Sequence, residues 1–186
     1  MSADPTAPRR SSAGERRAQL IEAAVPVFAL GGLHGTAVSA VTGAVGVTQP
    51  YAFSLFGTKK GLFLAAVEHV FDHLEQTFRA AAAGLQGDDA LHAMGESYFE
   101  LLDDREWLLL QMQAYAACSD DDVRAVVRDR YAGLYAVVRE LSAAEEPVLK
   151  DFFAHGMLLN VAAAMDMPAL LEKDDDWIEN CRRARG

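Results

Sequence analysis

Apolar residues recur at every third or fourth position along most of the chain, which places them on one side of an α-helix. The alternation that marks a half-buried β-strand is scarce. Glycine and proline residues interrupt the helical stripes and set their ends. The pattern predicts long helices over residues 14–30, 59–83, 88–104, 105–118, 121–141 and 146–165, and a last short helix over 174–183. The expected fold class is therefore all-α.

Two further short helices are predicted between Thr36 and Gly57. Thr36, Thr48 and Thr58 stand where a hydroxyl can accept a hydrogen bond from an unpaired N–H at a helix start. Gly46 stands where the first short helix must end and the chain needs a positive φ. Two short helices around a glycine turn form a helix-turn-helix, whose second helix fits the major groove of DNA.

Residues at fixed spacings in and before this stretch carry a family pattern: Ala23, Ala24, Phe28, Gly31, Thr36, Val41, Gly46, Val47, Thr48, Phe56, Lys59 and Leu62. On these residues the chain resembles the N-terminal domain of the TetR family of bacterial transcriptional regulators. The resemblance implies an N-terminal three-helix DNA-binding domain with a helix-turn-helix, and a C-terminal helical domain that binds ligands and dimerises. It also implies that the long helix from Lys59 spans both domains.

Several positions depart from the family pattern. Phe53 stands where the family usually has a tyrosine that reaches a DNA phosphate through its hydroxyl, and we expect Phe53 to pack instead. Lys60 replaces a common glutamate, while Pro50 and Tyr51 replace small or polar residues. Within the first helix, Pro26 removes one backbone hydrogen bond and is expected to kink it.

The predicted organisation has three parts. Residues 1–13 are polar and rich in proline, arginine and serine, which is typical of a disordered arm. Residues 14–60 form the DNA-binding domain, and residues 61–186 form the ligand-binding and dimerisation domain. Within the latter, Ser119 and Asp122 resemble a capping box for the helix that follows them.

The candidate DNA contacts fall into three groups. Groove-facing residues can pair with base edges, residues at helix starts suit phosphate, and arginines near the N-terminus add salt-dependent affinity. These candidates are Thr48, Gln49, Tyr51 and Ser54 for the groove, Thr36, Thr58 and Lys59 for phosphate, and Arg16 and Arg17 for charge. The alternative is that Thr48 and Thr58 only cap helices and that Tyr51 only packs.

Charge is distributed unevenly along the chain. The net charge of −10 at first argues against a nucleic-acid partner. However, six of the 17 basic residues lie within residues 1–64, which are net positive, and the remainder is strongly acidic. A basic N-terminal part on an acidic body suits a protein that presents one end to phosphates. The alternative is a solvated surface whose asymmetry arises by chance.

Two further sets of residues follow from the implied C-terminal domain. Large apolar and polar side chains typical of a ligand cavity are Phe71, Phe78, Tyr98, Trp107, Met112, Tyr115, His155 and Met157. Small and apolar residues that permit close helix approach at a dimer interface are Phe152, Gly156, Ala162 and Ala163. For both sets the alternative is an ordinary core within one chain, since the patterns are the same.

Other chemistry finds little support in the sequence. His69 and His73 have a spacing that can bind a metal, but no third ligand stands at a motif spacing, so we expect no metal and no cofactor. No nucleophile elbow, phosphate-binding glycine loop or zinc-hydrolase motif occurs, so we expect no enzyme activity. Cys118 and Cys181 are far apart, the N-terminus has no apolar signal core, and no apolar run reaches the ~18 residues of a membrane span. These features predict a cytoplasmic protein.

The sequence thus predicts a TetR-like transcriptional regulator. Its partners are expected to be a double-stranded DNA operator, a second copy of the chain and a small-molecule effector. The favoured mechanism is a homodimeric repressor that a small, mostly apolar ligand releases from DNA. The alternative is an all-helical ligand-binding or protein-interaction module that does not bind DNA, a reading that Pro26, Phe53 and the acidic body favour.

Overall fold

The computed structural model describes residues 12–171, which form eight α-helices and two short 3₁₀ turns. The α-helices are α1 (Ala13–Gly35), α2 (Val38–Val45), α3 (Gln49–Phe56), α4 (Lys59–Ala81), α5 (Gly87–Leu101), α6 (Arg105–Ala116), α7 (Asp121–Ser142) and α8 (Glu146–Ala164). The all-α prediction is confirmed. The predicted helix at 174–183, Cys181 and most of the predicted arm lie outside the described residues.

Helix α1 begins and ends by local chemistry. Ser12 accepts a hydrogen bond from the Glu15 N–H at 3.1 Å, and the Glu15 carboxylate accepts one from the Ser12 N–H at 2.9 Å. This capping box starts the helix within the predicted arm. The backbone leaves helical geometry at Gly32, where φ is +60°, whereas Pro26 lies within the helix. The expected bend at Pro26 stays a prediction.

Gly32 also marks a close approach between α1 and α6. A Cβ atom at this position would lie 2.6 Å from Oε1 of Gln113 on α6, a distance that real Cβ atoms do not show. The Gln113 amide also donates a hydrogen bond to the Ala29 carbonyl at 3.4 Å. Only glycine combines the positive φ with the missing side chain that this contact requires.

Helix α4 joins the two ends of the molecule. Its first half packs against α1 and α3, and its second half against α5 and α7. Buried residues line it from Leu62 to Phe78, as its apolar stripe predicts. Thr58 caps its start by accepting a hydrogen bond from the Gly61 N–H at 3.0 Å, as predicted.

Two predicted N-cap positions are wrong. Thr36 does not cap α2, whose N-cap position is Ala37; instead the buried Thr36 hydroxyl donates to the Val27 carbonyl at 3.2 Å. Asp120, and not Ser119, caps α7, and its carboxylate accepts hydrogen bonds from the N–H groups of Asp122 and Val123. Both N-cap residues lie one position after the predicted cap, and sequence alone does not define a helix boundary to a single residue.

The core consists of two groups of buried side chains. One joins α1, α2, α3 and the first half of α4 to α6 and the start of α7. The other joins the second half of α4 to α5, α7 and α8. None of the helices among residues 12–171 combines the length and the apolar character that a membrane crossing needs.

Candidate nucleic-acid interface and internal cavity

Helices α2 and α3 form a helix-turn-helix. Gly46 ends α2 in the left-handed conformation, with φ +70° and ψ 35°, as predicted. The Val47 N–H then donates to the Thr42 carbonyl at 3.0 Å, which closes the turn. Ala52 is buried and anchors α3, and Pro50 lies in the first turn of that helix, where no N–H is needed.

The exposed side of α3 carries most of the predicted groove contacts. Thr48, Gln49 and Ser54 are exposed and Tyr51 is half-buried. Thr48 occupies the N-cap position without making a side-chain cap hydrogen bond, so its hydroxyl is not used in capping. The Ser54 hydroxyl donates to the Tyr51 carbonyl at 2.7 Å and keeps its lone pairs for acceptance.

Phe53 lies on the same exposed side, one helical turn after Gln49. Its side chain is 39% exposed, so part of the ring faces solvent on this side of α3, and its packing role stays a prediction. Burying an aromatic ring against DNA removes apolar surface from water, and apolar groups contact the thymine methyl in the major groove. The sequence already indicated that Phe53 lies on the side of Gln49, because residues four positions apart on a helix share a face.

The two lysines at the start of α4 are engaged within the protein. The Lys59 ammonium donates to the carbonyls of His34 at 3.1 Å and Thr36 at 3.2 Å. The Lys60 ammonium pairs with Asp120 at 3.1 Å and Asp122 at 2.5 Å. Hydrogen bonds to Asp122 and Asp120 raise the pKa of Lys60. Hydrogen bonding to the Val123 N–H and to Lys60 lowers the pKa of Asp120.

The predicted DNA-contacting arginines, and the threonines at helix starts, differ in how far they are engaged within the protein. The Arg17 guanidinium lies 5.0 Å from the centre of the Phe56 ring, a cation–π arrangement at the end of α3. Arg16 donates to the Gln19 side chain at 3.1 Å. Thr58 is exposed, whereas Thr36 is buried and its hydroxyl is turned inward to a carbonyl. The Thr36 hydroxyl is therefore engaged within the protein, and a phosphate contact at Thr36 stays a prediction.

A cavity of about 50 Å³ lies between α4, α5, α6, α7 and α8. Four of the eight predicted ligand residues line it: Phe78, Tyr98, Tyr115 and Met157. The Tyr98 hydroxyl donates to the Asn160 side-chain oxygen, and the Gln111 amide donates to the Tyr115 hydroxyl at 2.8 Å. Burial raises the pKa of both tyrosines, which keeps them neutral.

The other four predicted ligand residues lie elsewhere. Trp107 lines a second cavity of about 30 Å³, next to the first, and Phe71 is buried in the core shared with α1. Met112 and His155 are half-buried and do not line the described cavities. Gln111 was not predicted; its signal is that it is one of two glutamines within the mainly apolar run of α6.

Of the four residues predicted for a dimer interface, three are buried within the chain and Gly156 is half-buried. Phe152, Ala162 and Ala163 are buried, and a Cβ at Gly156 would lie 3.6 Å from the Tyr98 ring. Their place at a dimer interface stays a prediction. The opposite side of α8 carries an outer stripe of exposed apolar residues: Ala154, Leu158, Val161 and Met165.

His69 and His73 both lie against the Trp107 ring, with ring centres 5.1 and 4.7 Å apart from it. His69 Nε2 lies 2.8 Å from a Glu22 carboxylate oxygen. Among residues 12–171, no group of three or more metal-ligating side chains comes together. Both histidines therefore have a packing role at the joint between α4 and α6.

Comparison with known proteins supports the resemblance on two levels. Residues 20–66 match the family model described as bacterial regulatory proteins, tetR family. A comparison with curated proteins finds no match.

Among solved structures, a TetR-like transcriptional regulator from Rhodococcus sp. RHA1 has a TM-score of 0.70 at 20% identity over 97% of this chain and 99% of that one. A TetR-family regulator from Cytophaga hutchinsonii has a TM-score of 0.66 at 18% identity over 92% and 98%. A cysteine-substituted variant of the TetR-family regulator CifR, complexed with a 26 bp double-strand operator DNA, has a TM-score of 0.67 at 20% identity over 96% and 98%. The TetR resemblance is therefore confirmed: residues 20–66 carry the family's N-terminal domain, and the chain has the fold of a TetR-family transcriptional regulator.

Proposed function

We propose that this protein is a DNA-binding transcriptional regulator that acts as a homodimeric repressor and leaves its operator when a small, mostly apolar effector binds. The observation that carries the DNA-binding part is the exposed side of α3. It presents Thr48, Gln49, Phe53 and Ser54 on a short helix held by a glycine turn. The similar fold of CifR, which is complexed with operator DNA, supports this part.

A dimer is the second part of the proposal. One short recognition helix reads only a half-site, so a second copy about one DNA turn away supplies the affinity and the specificity. The outer stripe of α8 supports the dimer, because Leu158, Val161 and Met165 are 47, 36 and 57% exposed. Contiguous apolar surface of this kind marks an interaction site.

Release by an effector is the third part. The cavity touches α4 through Leu74 and Phe78, and α4 begins directly after the turn that follows α3. A ligand that binds one arrangement of α4 more tightly shifts the population toward it. In the arrangement favoured by the effector, we expect the two recognition helices of a dimer to lose their match to successive major grooves.

The test is selection of genomic DNA fragments by the purified full-length protein across a salt series. We expect saturable, sequence-selective binding whose log affinity falls linearly with log salt. The variant Gln49→Ala should weaken selective binding, whereas Gln76→Ala, an exposed glutamine on α4, is the matched control and should not. No selective binding at any salt by folded, dimeric protein would overturn the repressor proposal.

A second candidate is the helical module that does not bind DNA. The engagement of Lys59 and Lys60 within the protein favours it, because it removes two cations from the predicted DNA side. This candidate predicts that no fragment is retained even at low salt, while the cavity still binds small molecules.

A further inference from the structure

Resting on the regulator function proposed above, we propose that the internal cavity selects uncharged effectors: small molecules with an apolar body and a hydroxyl or carbonyl group, without a carboxylate or an ammonium group. The cavity in question is the one of about 50 Å³ lined by Phe78, Tyr98 and Met157. The lining of this cavity defines the chemical class of the effector more narrowly than the description "mostly apolar" does.

Within residues 12–171, the lining of this cavity carries no aspartate, glutamate, lysine, arginine or histidine. Its polar side chains are tyrosines, a glutamine and an asparagine, all of them neutral. Transferring an ionised group from water into such surroundings without a partner charge costs several kcal/mol or more. A charged effector therefore meets a penalty here that an uncharged one of the same shape does not.

Two polar atoms in the cavity wall have no hydrogen-bond partner within residues 12–171. Asn160 uses its side-chain oxygen to accept from Tyr98, and Gln111 uses its amide nitrogen to donate to Tyr115. Among residues 12–171, the Asn160 amide nitrogen and the Gln111 amide oxygen make no hydrogen bond. One is a donor and the other an acceptor, so a hydroxyl group satisfies both, and a carbonyl group satisfies the Asn160 amide alone.

The cavity is small enough that a ligand must displace the surrounding helices to enter it. About 50 Å³ holds only a few water molecules, so a ring-sized ligand must displace the walls. Met157 is the most adaptable of the lining side chains. Leu74 and Phe78 belong to α4, so an enlarged cavity displaces the helix that leads to α3.

A neighbouring surface groove of about 670 Å³ has the opposite chemistry. It shares Tyr115, Tyr131 and Met157 with the cavity, but it also contains Arg124, Arg128 and Arg139 along α7. An anionic ligand finds its partner charges in this groove and not in the cavity. The two places are therefore distinguishable by the charge of the ligand.

The test uses three probes with the same ring and different charges: benzyl alcohol, benzoate and benzylamine, which is cationic at neutral pH. Binding to the full-length protein is measured without DNA, by calorimetry and ligand-observed nuclear magnetic resonance. We expect benzyl alcohol to bind at least about ten-fold more tightly than benzylamine and than any benzoate bound in the cavity.

Variants identify the place of binding. Gly156→Leu directs a side chain toward Tyr98 and should abolish benzyl alcohol binding, and Gly156→Ala, whose Cβ makes only ordinary contact, should weaken it less. Arg128→Ala is the matched groove variant; it should leave benzyl alcohol unaffected and remove any benzoate binding. Circular dichroism confirms that each variant is folded.

Three outcomes would overturn the proposal: no binding of benzyl alcohol, benzyl alcohol binding that Gly156→Ala and Gly156→Leu leave unchanged, or benzoate binding in the cavity as tightly as benzyl alcohol. Since no DNA is present, these outcomes leave the DNA-binding function untouched. Conversely, a protein that shows the expected charge selectivity but retains no DNA fragment would overturn the proposed function alone.

Discussion

The Lys60 ammonium of α4 lies 3.1 Å from the carboxylate of Asp120, the residue that caps α7. The same carboxylate accepts hydrogen bonds from two N–H groups of α7. The Asp120 side chain therefore both caps α7 and connects it to the first turn of α4. Helix α4 begins three residues after α3 ends.

We expect Asp120→Ala to lower the urea midpoint more than Lys60→Ala, and Lys60→Ala to lower it more than Asp122→Ala. Asp120→Ala removes both the helix cap and an ion pair, whereas Lys60→Ala removes only the ion pairs. Asp122→Ala removes one exposed partner of the lysine. Equilibrium urea unfolding of the three variants measures it. Equal midpoints for Asp120→Ala and Asp122→Ala would mean that the cap contributes nothing.

The same pair gives a prediction for pH. The pKa of Asp120 lies below its ordinary value, so its ionised form is favoured in the folded protein. Its contribution is therefore complete above the unfolded pKa of about 3.9 and is lost as pH falls through the lower folded pKa. The difference in urea midpoint between wild type and Asp120→Asn should be constant from about pH 7 to 5 and shrink below about pH 4. A difference that already falls near pH 6 would implicate a histidine instead.

Phe53 offers a direct test of the α3 surface. We expect Phe53→Ala to weaken operator binding by about ten-fold, because apolar surface is no longer buried against DNA. Phe53→Tyr should keep or increase the affinity, because the added hydroxyl can reach a phosphate. Leu85→Ala is the control, since Leu85 has the same 39% exposure but follows the far end of α4. Equal effects of the two alanine variants in a fluorescence anisotropy titration would contradict a specific role of Phe53.

The salt dependence of DNA binding should separate Arg17 from Lys59. Arg17→Ala should lower the slope of log affinity against log salt by about one, as expected when one phosphate contact is lost. Lys59→Ala should change the slope less and lower the melting temperature more, because its ammonium holds the His34 and Thr36 carbonyls. Equal slope changes would show that Lys59 leaves these carbonyls for phosphate in the complex.

The outer stripe of α8 should control the oligomeric state. A charge at Leu158 or Val161 would be buried without a partner in a dimer, so Leu158→Asp and Val161→Asp should give monomers in sedimentation velocity runs. Gln76→Asp places the same charge on an exposed position of α4 and should leave the dimer intact. Dimers that persist in both stripe variants would place the interface on another surface.

The sequence was sufficient for the order and approximate bounds of α1 to α8, because each helix has an apolar stripe or a glycine or proline at its end. It was insufficient for the starts of α2 and α7, since Thr36 and Ser119 carry oxygens suited to capping, yet the path of the chain places Ala37 and Asp120 at the N-cap positions. The binding surfaces were harder still. Helix α8 is apolar nearly all round, so periodicity could not tell the buried Ala162 from the exposed Val161.

The cavity shows the same limit. Tyr98 and Phe71 both occupy apolar stripes, yet one lines the cavity and the other fills the core. Whether a large side chain meets empty space depends on how several helices pack together, which no single stripe contains.

The contact between Gly32 and Gln113 restricts how the two ends of the molecule can move relative to each other. Helices α1 and α6 meet there so closely that a side chain at position 32 would collide with Gln113 unless that side chain moved. Gln111, which lines the cavity, lies two residues from Gln113 on α6. A change in the cavity that displaces α6 would therefore also act on the contact between α6 and α1.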